Sequence, residues 1–329
     1  MSKTNNAPTM ADVAREAGVA LGTVSRVVNG QQVGEEFRAK VEKAIKELGY
    51  QYNSSGRILR TGSSNTIAFI IPNTVNPYFA LLVHHVNIAL EKRNCKMLLC
   101  FSEYDTKREN EYIQMVRQNQ VDGIIALTYN PNLVIPADIP FVTIDRFFST
   151  SVPCIASDNF GGGWLAARKL KEFGCTNVAF MRIASTVVNE PSKRKDGFVS
   201  ACVEFGLPFE VMALEDGHPF SEIEDFLHDH LQNGKFAFDG LFIGTDSLAW
   251  EVIRCLRGMN IRVPEDVQVI GFDGIRMFGD LEPVVSTIVQ PVQEIAEACV
   301  STIRSKHLSS VPSLICLPVT YEYGGTTKE

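Results

Sequence analysis

From Thr66 onward, short apolar runs alternate with longer amphipathic stretches, and no other feature restricts this chain's folding choices as much. The runs TIAFIIP, KMLLCFS, DGIIAL, PFVTID, NVAFM, DGLFIG and VQVIGFD read as strands, and their continuous apolar character marks strands buried on both faces. Between them, residues 77–93, 106–119, 160–173, 192–205, 221–232, 246–258 and 292–306 have helical spacing. Such alternation predicts βαβ units and parallel sheet covered by helices on both sides. The rhythm occurs twice over, as two similar halves produce. In open sheets of this kind ligands settle beyond the carboxyl ends of the strands, so the residues just after each strand are the first to inspect.

The first fifty residues follow a different pattern. Val13, Ala14 and Ala17, then Val24, Val27 and Val28, then Phe37, Val41, Ile45 and Leu48 recur at helical spacing. Thr9 to Asp12 has the form of a capping box, Gly18 suits a tight turn, and Asn29-Gly30 and Gly49 suit helix ends. Three short helices in this order have the layout of a helix-turn-helix: Met10–Ala17 braces the DNA backbone and Leu21–Asn29 enters the major groove. Thr9 joins the DNA-binding set at the start of the bracing helix. Once the valines turn inward, Leu21, Gly22, Thr23, Ser25, Arg26 and Asn29 are left for bases and phosphates. These twenty residues alone would also suit an ordinary amphipathic helix pair. Charge favours the DNA reading: residues 1–62 hold nine Lys and Arg against six Asp and Glu, net +3, whereas the whole chain is −7.

Two further features narrow the class. The eight cysteines show no C-x-x-C pair and no Cys/His cluster at zinc spacing, which fits buried reduced thiols. The first ten residues contain no apolar signal core, and no apolar run is long enough to span a bilayer, so the expectation is a soluble cytoplasmic protein with no membrane partner.

TMADVAREAGVALGTVSRVVNG, VGEEFRAKVEKAIKELGY and LRTGSSNTIAFIIPNTVNPYFA resemble the lac repressor/galactose repressor family of bacterial transcriptional regulators. VDGII, IPFVTIDR, SDNFGGG, RVPEDVQVIGFD and STIVQPV extend the match in order along almost the entire chain. The resemblance implies a helix-turn-helix head over 1–51 and a hinge over 52–64. It further implies an effector-binding α/β sensor of the periplasmic-binding-protein type over 65–329, in two subdomains, about 65–172 with 292–324 and about 173–291. It also implies that the hinge folds on operator DNA, with Leu59 wedged into a minor-groove step, Asn53 capping the hinge helix, and Arg57 and Arg60 facing phosphate.

Four positions depart from the family pattern. Ala20 replaces a usual Ser N-cap, Leu21 and Gly22 occupy the variable reading positions, Gly56 replaces a hinge Ala, and Tyr52 replaces a common Pro. Leu21 suits a thymine methyl, and Gly22 allows close backbone approach. Discrimination is therefore expected to lean on Leu21, on Arg26 and on deformability at the Leu59 step.

For the sensor, the resemblance implies an effector pocket of Tyr78, Phe79, Arg146, Arg194, Thr245 and Asp273, with Phe220 as a further aromatic wall. Aromatic faces beside Asp and Arg suit a sugar, although a purine or another metabolite would use the same groups. Asp158 and Asp246 precede helices and serve equally as caps or ligands. DNFGGGWLAA lacks both the G-x-G-x-x-G spacing and a P-loop Lys, and reads as close helix–strand packing. No nucleophile–base pair, metal cluster or cofactor motif supports an enzyme on a doubly wound sheet. A solute-binding protein of transport is the other alternative, which the basic head and the absent signal core disfavour. The expected assembly is an effector-controlled repressor, a homodimer matching two operator half-sites and using no cofactor. The tail YEYGGTTKE shows no heptads that would join dimers.

Overall fold

The structure is a computed structural model that describes residues 8–28, 30–50, 63–185, 187–215, 218–276, 283–305 and 308–328. The chain divides into two compact units, Met1–Ser64 and Asn65–Glu329.

In the first unit, α1 (Met10–Ala17), α2 (Leu21–Val28) and α3 (Glu35–Leu48) enclose Val13, Ala14, Val24, Val27, Val41 and Ala44. Gly18 and Gly49 end α1 and α3 with φ of 63° and 62°, the left-handed conformation that releases the chain from a helix most cheaply at glycine.

The second unit opens with β1 (Thr66–Ile71), α4 (Pro77–Glu91), β2 (Lys96–Phe101), α5 (Thr106–Gln118), β3 (Gly123–Leu127), β4 (Phe141–Ile144) and β5 (Cys154–Ser157). It continues through α6 (Asn159–Glu172), β6 (Val178–Ala184), α7 (Lys193–Phe205), β7 (Phe209–Glu215), α8 (Ser221–Asp229) and the short hairpin β8 (Leu231–Gln232) and β9 (Lys235–Phe236). It closes with β10 (Gly240–Ile243), α9 (Asp246–Gly258), β11 (Gln268–Asp273), β12 (Thr287–Val289), α10 (Val292–Ile303), β13 (Leu314–Leu317) and β14 (Thr320–Glu322). One sheet has the order β13-β5-β4-β3-β1-β2 and is parallel throughout. The other has the order β14-β12-β11-β10-β6-β7, with β14 antiparallel.

Both sheets are buried on two faces, for the reason their apolar runs suggest. In β1, Ile67, Phe69 and Ile71 pack under α4 and α10, while Ala68 and Ile70 point to α5. In β6, Val178 and Phe180 pack on α6 and α7, and Ala179 and Met181 on α8 and α9. Phe69, Phe180, Phe198, Phe242 and Phe272 are fully buried, each worth about 1.5–3 kcal/mol of apolar transfer.

Two subdomain boundaries differ from expectation. The resemblance places α6 with the first sheet, yet its Ala166, Ala167 and Leu170 pack with Val178 and Phe180 of the second sheet and Phe198 of α7. The tail after Pro318 also joins the second sheet through β14. The chain therefore crosses between sheets near 158, 291 and 318. Alternation along a sequence records that a helix follows a strand, but not which sheet the helix covers.

Candidate functional site

The head presents α2 outward. Thr9 and Asp12 form the reciprocal capping box: the Asp12 amide donates to the Thr9 hydroxyl at 3.3 Å, and the Asp12 carboxylate accepts from the Thr9 amide at 2.9 Å. At the start of α2 the Ala20 carbonyl accepts from the Thr23 and Val24 amides at 2.8 and 3.3 Å, and the Ala20 side chain has no atom to cap with. Val24 and Val27 turn into the core, which leaves Leu21 52 % exposed, Gly22 and Arg26 exposed, and Thr23 and Ser25 half-buried. A Cβ at Gly22 would meet nothing within 4 Å, so packing does not require glycine there. Asn29, Asn53, Arg57, Leu59 and Arg60 lie outside the described residues.

In the second unit the carboxyl ends of both sheets face a cleft of about 430 Å³. Tyr78 and Phe79 enter it from the first turn of α4, whose N-cap Asn76 accepts from the Tyr78 amide at 3.0 Å. Arg194 enters from the first turn of α7, Thr245 from the N-cap of α9 and Asp273 from the end of β11. Thr245 spends an oxygen lone pair on the Leu248 amide at 3.3 Å.

Arg194 is the hub. Its Nε donates to Asn159 Oδ1 at 2.8 Å and its Nη1 to the Gly244 carbonyl at 2.6 Å. Its guanidinium lies 3.6 Å from the centroid of the Phe272 ring, and Nη1 is 3.8 Å from Asp273 Oδ1. Asp273 accepts from Gln290 Nε2 at 2.7 Å, and Gln290 in turn accepts from the Ser157 hydroxyl at 2.7 Å. Gln290 precedes one crossover and Ser157 another, so this chain of bonds links the cleft floor to the strands about which the halves would hinge. A further tie joins the halves where the Glu190 amide donates to the Asp145 carbonyl at 2.8 Å.

Arg146 and Phe220 stand elsewhere. The Arg146 side chain turns away from the cleft, donates to the Asn130 carbonyl at 2.5 Å and lies 4.2 Å from the centroid of the Phe148 ring. Its neighbour Asp145 takes the cleft position from the bend that follows β4, at a left-handed φ of 59° that turns the chain out of the strand's alternation. Phe220 precedes α8 and packs against the core around Ile223 and Leu227. Of the two cap-or-ligand acids, Asp158 is a cap, accepting from the Gly161 amide at 2.8 Å. Asp246 is neither: it accepts from the Gly274 and Ile275 amides at 2.8 and 2.7 Å and from the Thr287 hydroxyl at 2.6 Å, so it fastens the backbone just after Asp273.

Asp145, Asn189, Tyr104 and Tyr129 are also in the lining. Asp145 stands just past a strand's carboxyl end, where ligands settle, but the left-handed bend there decides that it and not Arg146 turns inward, and the other three sit in loops without periodic signal. Burial pushes the Asp145 carboxyl up to about 6, against the downward pull of Arg194 and Tyr78. Burial likewise raises Asp273, with the charge of Asp246 adding to it and Arg194 opposing. The Tyr78 hydroxyl and Asp145 Oδ1 are both buried, and neither has a hydrogen-bonding partner within 3.5 Å among the described residues, although Tyr78 stands near enough to Asp145 to lower its pKa. Donors and acceptors of this kind, in a cleft that Arg194, Phe79 and Phe180 also line, are the groups that bind vicinal hydroxyls.

The glycine triplet of DNFGGGWLAA supports this site through packing. A Cβ at Gly162 would lie 2.6 Å from the Phe272 ring, the platform under Arg194. At Gly163 it would overlap the Arg194 carbonyl, and at Gly197 the Phe160 carbonyl. α6 and α7 therefore touch backbone to backbone, which brings Asn159 within reach of Arg194.

Comparison with known proteins accounts for both units. Residues 9–53 match the model "Bacterial regulatory proteins, lacI family", and residues 167–327 match "Periplasmic binding protein-like domain". A sucrose operon repressor of Pediococcus pentosaceus is 33% identical over 309 residues, covering 91% of this chain and 92% of the relative. A ribose operon repressor of Escherichia coli K12 is 32% identical over 309 residues, 90% of this chain and 92% of the relative. The solved complex of the transcriptional regulator CelR with cellobiose is 26% identical with a TM-score of 0.67, covering 97% of this chain and 99% of the other. With a helix-turn-helix head, a two-sheet sensor and relatives matched along nearly their whole length, the chain belongs to the lacI family of bacterial regulatory proteins.

Proposed function

We propose that the chain is a homodimeric cytoplasmic repressor whose hold on operator DNA is set by a sugar bound in the sensor cleft, and that it carries out no catalysis. The observation that carries the sugar reading is the pairing of unsatisfied buried polar atoms, on Tyr78 and Asp145, with aromatic walls around Arg194. Relatives named for sucrose and ribose operons, and a cellobiose complex, support the same chemistry. Tyr78, Phe79, Asp145, Arg194, Thr245 and Asp273 are the contacts proposed. Thr9, Leu21, Gly22, Thr23, Ser25, Arg26 and Asn29 are the proposed DNA-facing set of the head, with Asn53, Arg57, Leu59 and Arg60 in the hinge. Leu21 reads an apolar groove edge, and Leu59 deforms a minor-groove step.

The proposed control is a coupling between sites. A ligand touching both halves favours the closed sensor by its differential affinity, and the Ser157–Gln290–Asp273 chain carries that closure to the crossover strands. Thermal shift with sucrose, cellobiose, D-ribose, D-glucose and adenine, followed by gel shifts on the upstream DNA with and without each binder, tests the proposal. A sugar that raises the melting temperature and changes operator retardation is the expected result. Adenine alone doing so would replace the sugar reading with a purine one, and no retardation under any condition would sink the repressor reading.

A further inference from the structure

The cleft grades from a closed polar end to an open aromatic one. Asp145, Arg194, Asp273 and Tyr78 are each no more than 5% exposed, whereas Tyr104, in the same lining, is 55% exposed. Tyr104 follows β2, the edge strand, and Asp145 follows β4, three strand spacings away in the order β4-β3-β1-β2, which is about 14 Å along the sheet edge. Tyr104 pairs with Tyr129, their ring centroids 5.7 Å apart and their planes at 42°. Across the mouth stand Ser247, Leu248 and Glu251 of α9.

The backbone presents this ring under strain. Glu103 and Tyr104 are consecutive non-glycine residues in the left-handed region, at φ of 51° and 58°. Two such residues in a row cost folding free energy that an ordinary turn would avoid with Gly or Asn, and strain of this kind gathers where a site holds a side chain in place.

We infer that Tyr104 and Tyr129 form a second sugar subsite at the mouth of the cleft, so that the effector it fits is a glycoside of at least two rings. The inner ring takes the hydrogen bonds of the polar end. The outer ring lies its apolar face on the tyrosines and offers its hydroxyls to Ser247 and Glu251. This rests on the sugar reading of the cleft and deepens it.

The test uses the full chain and calorimetric titration with sucrose and cellobiose against D-glucose, D-fructose and D-ribose. Tyr104→Asn removes the ring while tolerating the left-handed backbone, and Tyr104→Phe keeps the ring. The expected result is a disaccharide binding at least tenfold tighter than its component monosaccharides. Tyr104→Asn should lower that affinity roughly tenfold, leave any monosaccharide affinity within twofold, and be rescued by Phe. A monosaccharide that binds as tightly as either disaccharide, or an equal loss for both classes in Tyr104→Asn, overturns the second subsite and leaves the sugar reading standing. Failure of all five sugars to bind, with adenine binding, overturns the sugar reading itself.

Discussion

Replacing Gly163 with alanine tests the claim that Arg194 is positioned by backbone contact between α6 and α7. The added Cβ would lie 2.9 Å from both the Arg194 carbonyl carbon and the Phe198 nitrogen, with the Arg194 oxygen closer still, where ordinary contact begins at 3.4 Å. Every one of those atoms is backbone, so no side chain can swing aside and the helices must part by something on the order of an ångström. Overpacking of this kind costs about 1–3 kcal/mol, and the better helix propensity of alanine returns at most about 1 kcal/mol. The closer approach to the Arg194 oxygen puts the cost in the upper part of that range, and a net loss of about 1–2 kcal/mol lowers the melting temperature of a unit this size by roughly 2–8 °C. The same displacement stretches the 2.8 Å bond from Arg194 Nε to Asn159. Two measurements on the full chain follow: calorimetric melting, and the Arg194 Nε–H resonance, assigned by its disappearance in Arg194→Lys. The expected outcome is a lower melting temperature together with a shifted and less protected Nε–H. Gly258→Ala is the control, since a Cβ there meets nothing within 4 Å, and it should melt no lower than the parent. If Gly163→Ala melts as high as the parent and leaves the Nε–H unmoved, the close-contact reasoning is refuted.

Three other expectations follow from the same geometry. Asp145 has a folded pKa of about 6 against an ordinary 3.8, so the folded chain binds more protons between those values and its stability falls as pH rises through that window. Asp145→Asn should therefore lessen the fall of the melting profile between pH 4 and 6, to which Asp246 and Asp273, also raised by burial, still contribute, and gain up to about 3 kcal/mol at pH 7; an unchanged profile would contradict the burial argument. Arg194→Lys loses the forked donation to Asn159 and Gly244, so effector affinity measured by calorimetry should fall at least about tenfold while operator binding in the absence of effector holds. Thr9→Ala removes the α1 capping box at about 1 kcal/mol, seen as roughly fivefold faster hydrogen exchange in residues 10–17 with the sensor amides unaffected.

Much of the head was legible in advance because its signals are local. A capping box, a turn glycine and three valines on one helix face are all set within a few residues, and the exposure of Leu21 and Arg26 follows from the burial of Val24 and Val27. Of the strands read correctly, all but the edge strand β2 lie in sheet interiors, where burial on both faces makes an unbroken apolar run. The strand β7, at a sheet edge with Phe209, Glu210 and Glu215 exposed, broke that pattern, and β5, β12, β13 and β14 are only three or four residues long.

What the amino-acid sequence determined by itself was therefore the helices and the longer apolar strands, the two-part organisation and the strand ends at which a ligand site had to lie, since each depends on spacing along the chain. Tertiary structure alone decided which side chains meet there. It turned Asp145 inward and Arg146 away, drew Phe220 into a core, carried α6 across to the second sheet and brought Tyr104 from an edge strand to Tyr129. Those outcomes depend on strand order, on the left-handed bend after β4 and on how closely two glycine-faced helices approach, which apolar spacing along the chain does not encode.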